Sequence, residues 1–93
     1  MVKIVWTEFA LEDLRSIHEY ISKDSKIYAD RVIDKVISRV DLLEKFPKSG
    51  RVVPEFDDET LREIIQGNYR IIYKVSSLQV SIIRIHHSAR LLN

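Results

Sequence analysis

The chain has 93 residues, 45% of them hydrophobic and 31% charged, with two Gly, two Pro, no Cys and a formal net charge of +1. This composition predicts a single domain over residues 1–93, burying roughly 60% of the surface its unfolded chain would expose. It excludes long flexible linkers and low-complexity tracts, and the absence of cysteine excludes a disulfide framework, thiolate catalysis and Cys-based metal sites.

Val2 to Trp6 is short, β-branched and aromatic, which predicts an opening strand. No apolar run near the N-terminus is long enough for a signal peptide or a membrane span, so a cytoplasmic protein with no membrane partner is expected. Thr7 fits a helix N-cap, and Glu8 lies where the helix dipole favours a negative charge. Trp6 and Leu11 occupy the two positions of a hydrophobic staple. Ala10, Leu14, Ile17 and Ile21 recur at helical spacing, giving an amphipathic helix to about Ser22.

Residues 23–26 interrupt the apolar pattern before a second helix, marked by Ala29, Ile33, Val36, Val40 and Leu43. Val32 and Ile37 widen its apolar side. Phe46-Pro47 ends it, because proline cannot continue the hydrogen-bond ladder and restricts the residue before it. So short a break between helices predicts an antiparallel helical hairpin.

Residues 48–59 read as one irregular segment containing Gly50, Pro54 and the acidic cluster Asp57-Asp58-Glu59. Two β-rich runs follow, Thr60 to Gln66 and Tyr69 to Val75, joined by Gly67-Asn68, a strong hairpin signal. A two-residue loop sets Arg62 opposite Tyr73, Ile64 opposite Ile71 and Glu63 opposite Ile72, with Glu63 diagonal to Arg70. After a turn at Ser76-Ser77, Gln79 to His86 forms the last strand. The order is β-α-α-β-β-β, an α+β fold with a helical hairpin packed on a mainly antiparallel four-stranded sheet.

Charge is divided unevenly along this plan. From Ile64 onward the chain carries Arg70, Lys74, Arg84 and Arg90, joined by His86 and His87, and no Asp or Glu. The first 63 residues hold all fourteen acidic groups. Such a field favours an anionic partner, either nucleic acid or an acidic protein surface. Guanidinium forks at Arg70, Arg84 and Arg90 suit phosphate or carboxylate recognition, against the plainer reading of solvated strand residues with Arg70 paired to Glu63. His86 and His87 are adjacent on a strand and point to opposite faces, with only His18 elsewhere, so a metal site is disfavoured. Acid–base chemistry by His87 is open to it, though a histidine bonded to backbone is the commoner arrangement. Tyr69 and Tyr73 share a face with Arg62, where base stacking competes with an ordinary core role; core is favoured. No glycine-rich phosphate loop, Ser-His-Asp order or nucleophile elbow is present, and no cofactor is expected.

Several segments taken together resemble the RelE/ParE toxin superfamily. They are the strand ending in Trp6, Ala-Leu-Glu-Asp-Leu at 10–14, Tyr20-Ile21, and Phe46-Pro47 with Gly50-Arg51. The strongest are Leu-Arg-Glu at 61–63 followed by Asn-Tyr-Arg-Ile-Ile-Tyr at 68–73, completed by Ile85-His86-His87 and Ala89-Arg90-Leu91-Leu92. The resemblance spans nearly the whole chain and implies the toxin half of a toxin–antitoxin pair. Its RelE-like branch cuts mRNA in the ribosome with a basic cluster and a C-terminal tyrosine. The two lysines of that cluster align with Leu61 and Glu63, and its last arginine aligns with Ser88. Arg70 is kept, and the chain stops before the tyrosine. The resemblance therefore leans to the ParE-like branch, which inhibits DNA gyrase, and implies no catalytic residue of its own. It implies target- or antitoxin-binding roles for Arg62, Arg70, Arg84, His87 and Arg90. The implied partners are a cognate antitoxin, ParD-like or RelB-like, and DNA gyrase, with the ribosome and mRNA as the alternative.

Overall fold

The computed structural model describes residues 1–88. Its elements are β1 (Lys3–Trp6), α1 (Glu8–Ser22), α2 (Lys26–Asp41), a 3-10 turn (Leu42–Glu44), β2 (Arg51–Val52), β3 (Leu61–Gln66), β4 (Tyr69–Val75) and β5 (Gln79–His87). They build two helices on a five-stranded sheet of order β1-β5-β4-β3-β2, antiparallel except where β1 runs parallel to β5.

Local sequence sets most of these boundaries. Thr7 caps α1, its hydroxyl accepting from the Ala10 N–H at 3.2 Å, and the same hydroxyl donates to the Ile82 carbonyl at 2.7 Å. One side chain thus starts the helix and ties it to the sheet. Ser25 caps α2 in the same way through Tyr28 N–H, so Lys26 is already helical. The α-helical part of α2 stops at Asp41, and the tighter 3-10 turn carries the chain to the break expected at Phe46-Pro47.

The β3–β4 hairpin has the expected register, with Arg62 facing Tyr73, Glu63 facing Ile72 and Ile64 facing Ile71. Gly67 has φ +59°, whereas Asn68 is not left-handed, which matches a turn needing glycine at its first central position.

Two features depart from the sequence expectation. The sheet has five strands rather than four, because Arg51 and Val52 pair with Glu63 and Arg62. A two-residue strand, Arg51–Val52, is too short to display an alternating pattern. The second is a bulge in β5: Ile82 faces Tyr73 and Arg84 faces Ile72, leaving Ile83 without an opposite residue. Strict alternation from Val80 and Ile82 would put Arg84 on the helix-facing side. The extra residue instead brings Ile85 into register with Ile71 in the core.

That core joins Ala10 and Leu14 of α1, Val36 and Val40 of α2, and Leu43 to Ile64, Ile71, Tyr73, Val80, Ile82 and Ile85 of the sheet. Tyr73 is fully buried, in line with the core role favoured for it, and its hydroxyl accepts from the Gly50 N–H at 2.9 Å. A Cβ at Gly50 would lie 2.4 Å from the Glu63 carbonyl oxygen and 2.5 Å from the Tyr73 hydroxyl. Close approach, not a turn, therefore demands glycine there.

Candidate functional site

The cationic residues singled out in the sequence divide between two sides of the sheet. On the face away from the helices, Arg70 is 5% exposed and Glu63 is 1% exposed. The Arg70 guanidinium donates from Nη1 to Glu55 Oε2 at 2.7 Å and from Nη2 to Glu55 Oε1 at 2.8 Å. Its Nε donates to Glu63 Oε1 at 2.8 Å, and Nη2 reaches the same oxygen at 2.5 Å. Arg51 closes the group from β2, its Nε donating to Glu63 Oε2 at 2.6 Å. Cross-strand register explains the set: Arg51 stands directly opposite Glu63, and Arg70 stands diagonal to it. Glu55 arrives from the loop between β2 and β3. Two guanidinium groups meet two carboxylates, so the formal charge of this cluster is zero. Hydrogen bonding to Glu55, opposed by burial and reinforced by Glu63, raises the Arg70 pKa above its ordinary value. Arg70 is a permanent cation there, with its bidentate fork turned onto Glu55.

The second group lies where β5 runs on past the end of β1. Pairing with β1 ends at Ile82, and just after the bulge Arg84 reaches Asp13 of α1. Its Nε donates to Asp13 Oδ2 at 2.8 Å and its Nη2 to Oδ1 at 3.1 Å; the Ile85 N–H adds a third bond to Oδ2 at 2.9 Å. The Asp13 hydrogen bond raises the Arg84 pKa. Unlike Arg70, the Arg84 side chain is 51% exposed. His87 is exposed at the strand end, its ring set edge-on to Tyr69 with centroids 5.6 Å apart and planes at 82°. Asp13, Tyr20, Tyr69, Arg84 and His87 line one groove between α1 and the end of β5.

Arg62 belongs to neither group. Its Nη1 donates to the Gly50 carbonyl at 2.9 Å, and its Nε is buried with no hydrogen-bond partner among the described residues. Arg90 lies outside the described residues. The five arginine and histidine positions are thus not one constellation: Arg84 and His87 share a groove, while Arg62 and Arg70 are held elsewhere. His86 stands opposite Arg70 in the β4–β5 ladder. Among the described residues no group of three or more His, Cys, Asp or Glu is arranged to hold a metal ion, and no helix is long and apolar enough to cross a membrane.

The sequence alone assigns no binding or catalytic role to Asp13, Arg51 or Glu55. Arg51 would have been found had β2 been visible, since its register follows from that of β3. Nothing local marks Asp13, which is 71 residues from Arg84.

Comparison with known proteins supplies the family. The sequence model of the family described as "ParE toxin of type II toxin-antitoxin system, parDE" matches residues 4–92. Toxin RelE2 of Caulobacter vibrioides is 38% identical over 92 residues, covering 98% of this chain and 100% of that protein. Among solved structures, the chromosomal ParDE toxin–antitoxin system from P. aeruginosa superposes with a TM-score of 0.76 at 20% identity, over 94% of this chain and 96% of that one. The RelBE2 toxin–antitoxin complex from Mycobacterium tuberculosis gives 0.66 at 19% identity, over 92% and 96%. At those identities the structures speak to the fold alone, and both carry the same helical hairpin on a sheet. The family match and the Caulobacter relative go further: this chain belongs to the ParE toxin family of type II toxin–antitoxin systems, within the RelE/ParE superfamily.

Proposed function

We propose that this toxin acts as its ParE-like resemblance implies, by binding and inhibiting DNA gyrase without catalysis of its own. The observation that carries the reading is the closed ion-pair group Arg51–Glu55–Glu63–Arg70. RNA cleavage needs cations free to stabilise a developing phosphorane charge and a group free to move a proton. On this face the aligned lysine positions are Leu61 and Glu63, and the retained Arg70 is already occupied by two carboxylates. A negative Glu63 at that position opposes a phosphate.

In this reading the α1–β5 groove, with Arg84 and His87, meets the target or the antitoxin, and Arg90 takes part as the resemblance implies. Arg62 and Arg70 support it from within the fold. The antitoxin is a small ParD-like or RelB-like protein whose C-terminal segment orders on binding and sets acidic side chains against the exposed cations. The setting is cytoplasmic, where gyrase and its DNA reside. A plasmid supercoiling assay with the purified chain tests the proposal; inhibition by folded protein supports it, and unimpaired supercoiling counts against it.

A second reading, a ribosome-dependent endoribonuclease, is favoured by the name of the 38%-identical relative, toxin RelE2, and by the exposed imidazole of His87. Toeprinting of mRNA on programmed ribosomes separates the two. Cuts that disappear in His87→Ala would establish this second reading in place of the first.

A further inference from the structure

Sequence charge points to the C-terminal strands, yet a row of three cations outside the ion pairs lies on α2. Arg31, Lys35 and Arg39 stand at successive i, i+4 positions of α2, a stripe about 12 Å long at the helical rise. Among the described residues none of the three is in an ion pair. Like charges at this spacing repel along a helix. Of the nearby carboxylates, Asp30 is engaged by His18 and Lys26. Asp34 lies beside Lys35 at the Arg39 end.

The stripe borders a groove of about 420 Å³ between the helices and the tip of the β3–β4 hairpin. Its walls carry Tyr20, Tyr28, Tyr69 and His87, Gln66 and Asn68, Arg31 and Lys35, and no carboxylate among the described residues. Tyr20 is 72% exposed and Tyr28 57%, so two rings stand free on the surface. Lys35 and Gln66 also line the adjoining groove that leads to Arg39, which makes the path continuous.

We propose that this groove binds single-stranded nucleic acid, with bases stacked on Tyr20 and Tyr28 and the phosphates following Arg31, Lys35 and Arg39. Free aromatic rings beside a cationic track are how sequence-tolerant single-strand sites are built. Twelve ångströms of track accommodates the phosphates of two or three nucleotides, and the Gln66 and Asn68 amides offer donors and acceptors to base edges. The site is separate from the Arg51–Glu55–Glu63–Arg70 face, and it adjoins the α1–β5 groove, with which it shares Tyr20, Tyr69 and His87. An acidic peptide would satisfy the cations but would leave the exposed rings unused.

The test is fluorescence anisotropy of the full chain with a labelled deoxythymidine 12-mer, its RNA counterpart, a 12-bp duplex and a polyglutamate peptide. Single-stranded oligomers should bind, with affinity falling as salt rises along a logarithmic slope of about −2, from three neutralised phosphates. Whichever of DNA and RNA binds tighter identifies the source. Arg31→Ala/Lys35→Ala should flatten that slope. Tyr20→Ala/Tyr28→Ala should weaken binding about five- to a hundredfold at one salt concentration while leaving the slope in place. Lys74→Ala, on the other side of the sheet, should change neither. All of these side chains are exposed, and an unchanged thermal melt verifies the fold of each variant. The proposal is overturned by no single-strand binding at low salt, by duplex or polyglutamate binding as tightly, or by tyrosine variants that bind like the parent.

Discussion

Two regions of this toxin carry arginine in opposite circumstances. On the outer face of the sheet, Arg70 and Arg51 are matched by Glu63 and Glu55, and the pair at its centre is almost fully buried. Along the helix-side margin, the half-exposed Arg84 is bound to Asp13, and among the described residues Arg31, Lys35 and Arg39 are in no ion pair. The difference teaches that charge along a sequence is not charge on a surface. Every carboxylate that neutralises Arg70 and Arg84 comes from the first 63 residues, delivered by α1, by β3 and by the loop after β2. The acid-free C-terminal stretch is therefore partly discharged by folding, while a helix that also carries three Asp keeps three cations outside any ion pair among the described residues.

The sharpest way to break the comparison is to remove Glu63. Taking the central carboxylate from the buried Arg70, which would keep Glu55 alone, and from Arg51 should cost roughly 3–5 kcal/mol, because breaking a buried pair is expensive. Urea denaturation of Glu63→Ala reads this directly, and a loss under 1 kcal/mol would mean the outer face is not the closed network described. Next, Gly50→Ala should cost about 1–3 kcal/mol, since its Cβ meets a backbone oxygen that cannot move freely. Tyr73→Phe leaves the Gly50 N–H without its acceptor and should lose about 1–3 kcal/mol by the same measurement. Arg84→Ala belongs to the other region; its side chain is half exposed and Asp13 keeps the Ile85 N–H, so the loss should be about 0–1 kcal/mol, and an effect matching that of Glu63→Ala would erase the contrast.

The smallest effect concerns acid. The Asp30 carboxyl is held below its ordinary value, first by the His18 hydrogen bond and then by Lys26. A carboxyl whose folded pKa is depressed adds stability above its unfolded pKa and loses it as pH falls through the folded one. The contribution is therefore intact at neutral pH and disappears below about pH 3.8, the ordinary value. Carboxyl titration by NMR should show Asp30 moving upward in His18→Ala; no movement would remove this helix–helix contact from the account.

Much of this fold is legible in the sequence because its signals are local. Thr7 names a helix start, Gly67-Asn68 a hairpin, and alternation through β3 and β4 fixes a register that places Glu63 diagonal to Arg70. What sequence hides is short or distant. Arg51–Val52 is too brief to alternate, and the Ile83 bulge reverses the facing of the residues after it without any glycine to announce it. Glu55 comes from an aperiodic loop and Asp13 from 71 residues away, so the partners of Arg70 and Arg84 emerge only in three dimensions.

The proposed inhibition of gyrase is tested most directly by supercoiling of relaxed plasmid in the presence of increasing amounts of the purified chain. Inhibition that weakens in an Arg84→Ala/His87→Ala variant of unchanged stability, while Lys74→Ala inhibits like the parent, is the predicted result. Full supercoiling at every concentration of folded toxin would contradict it.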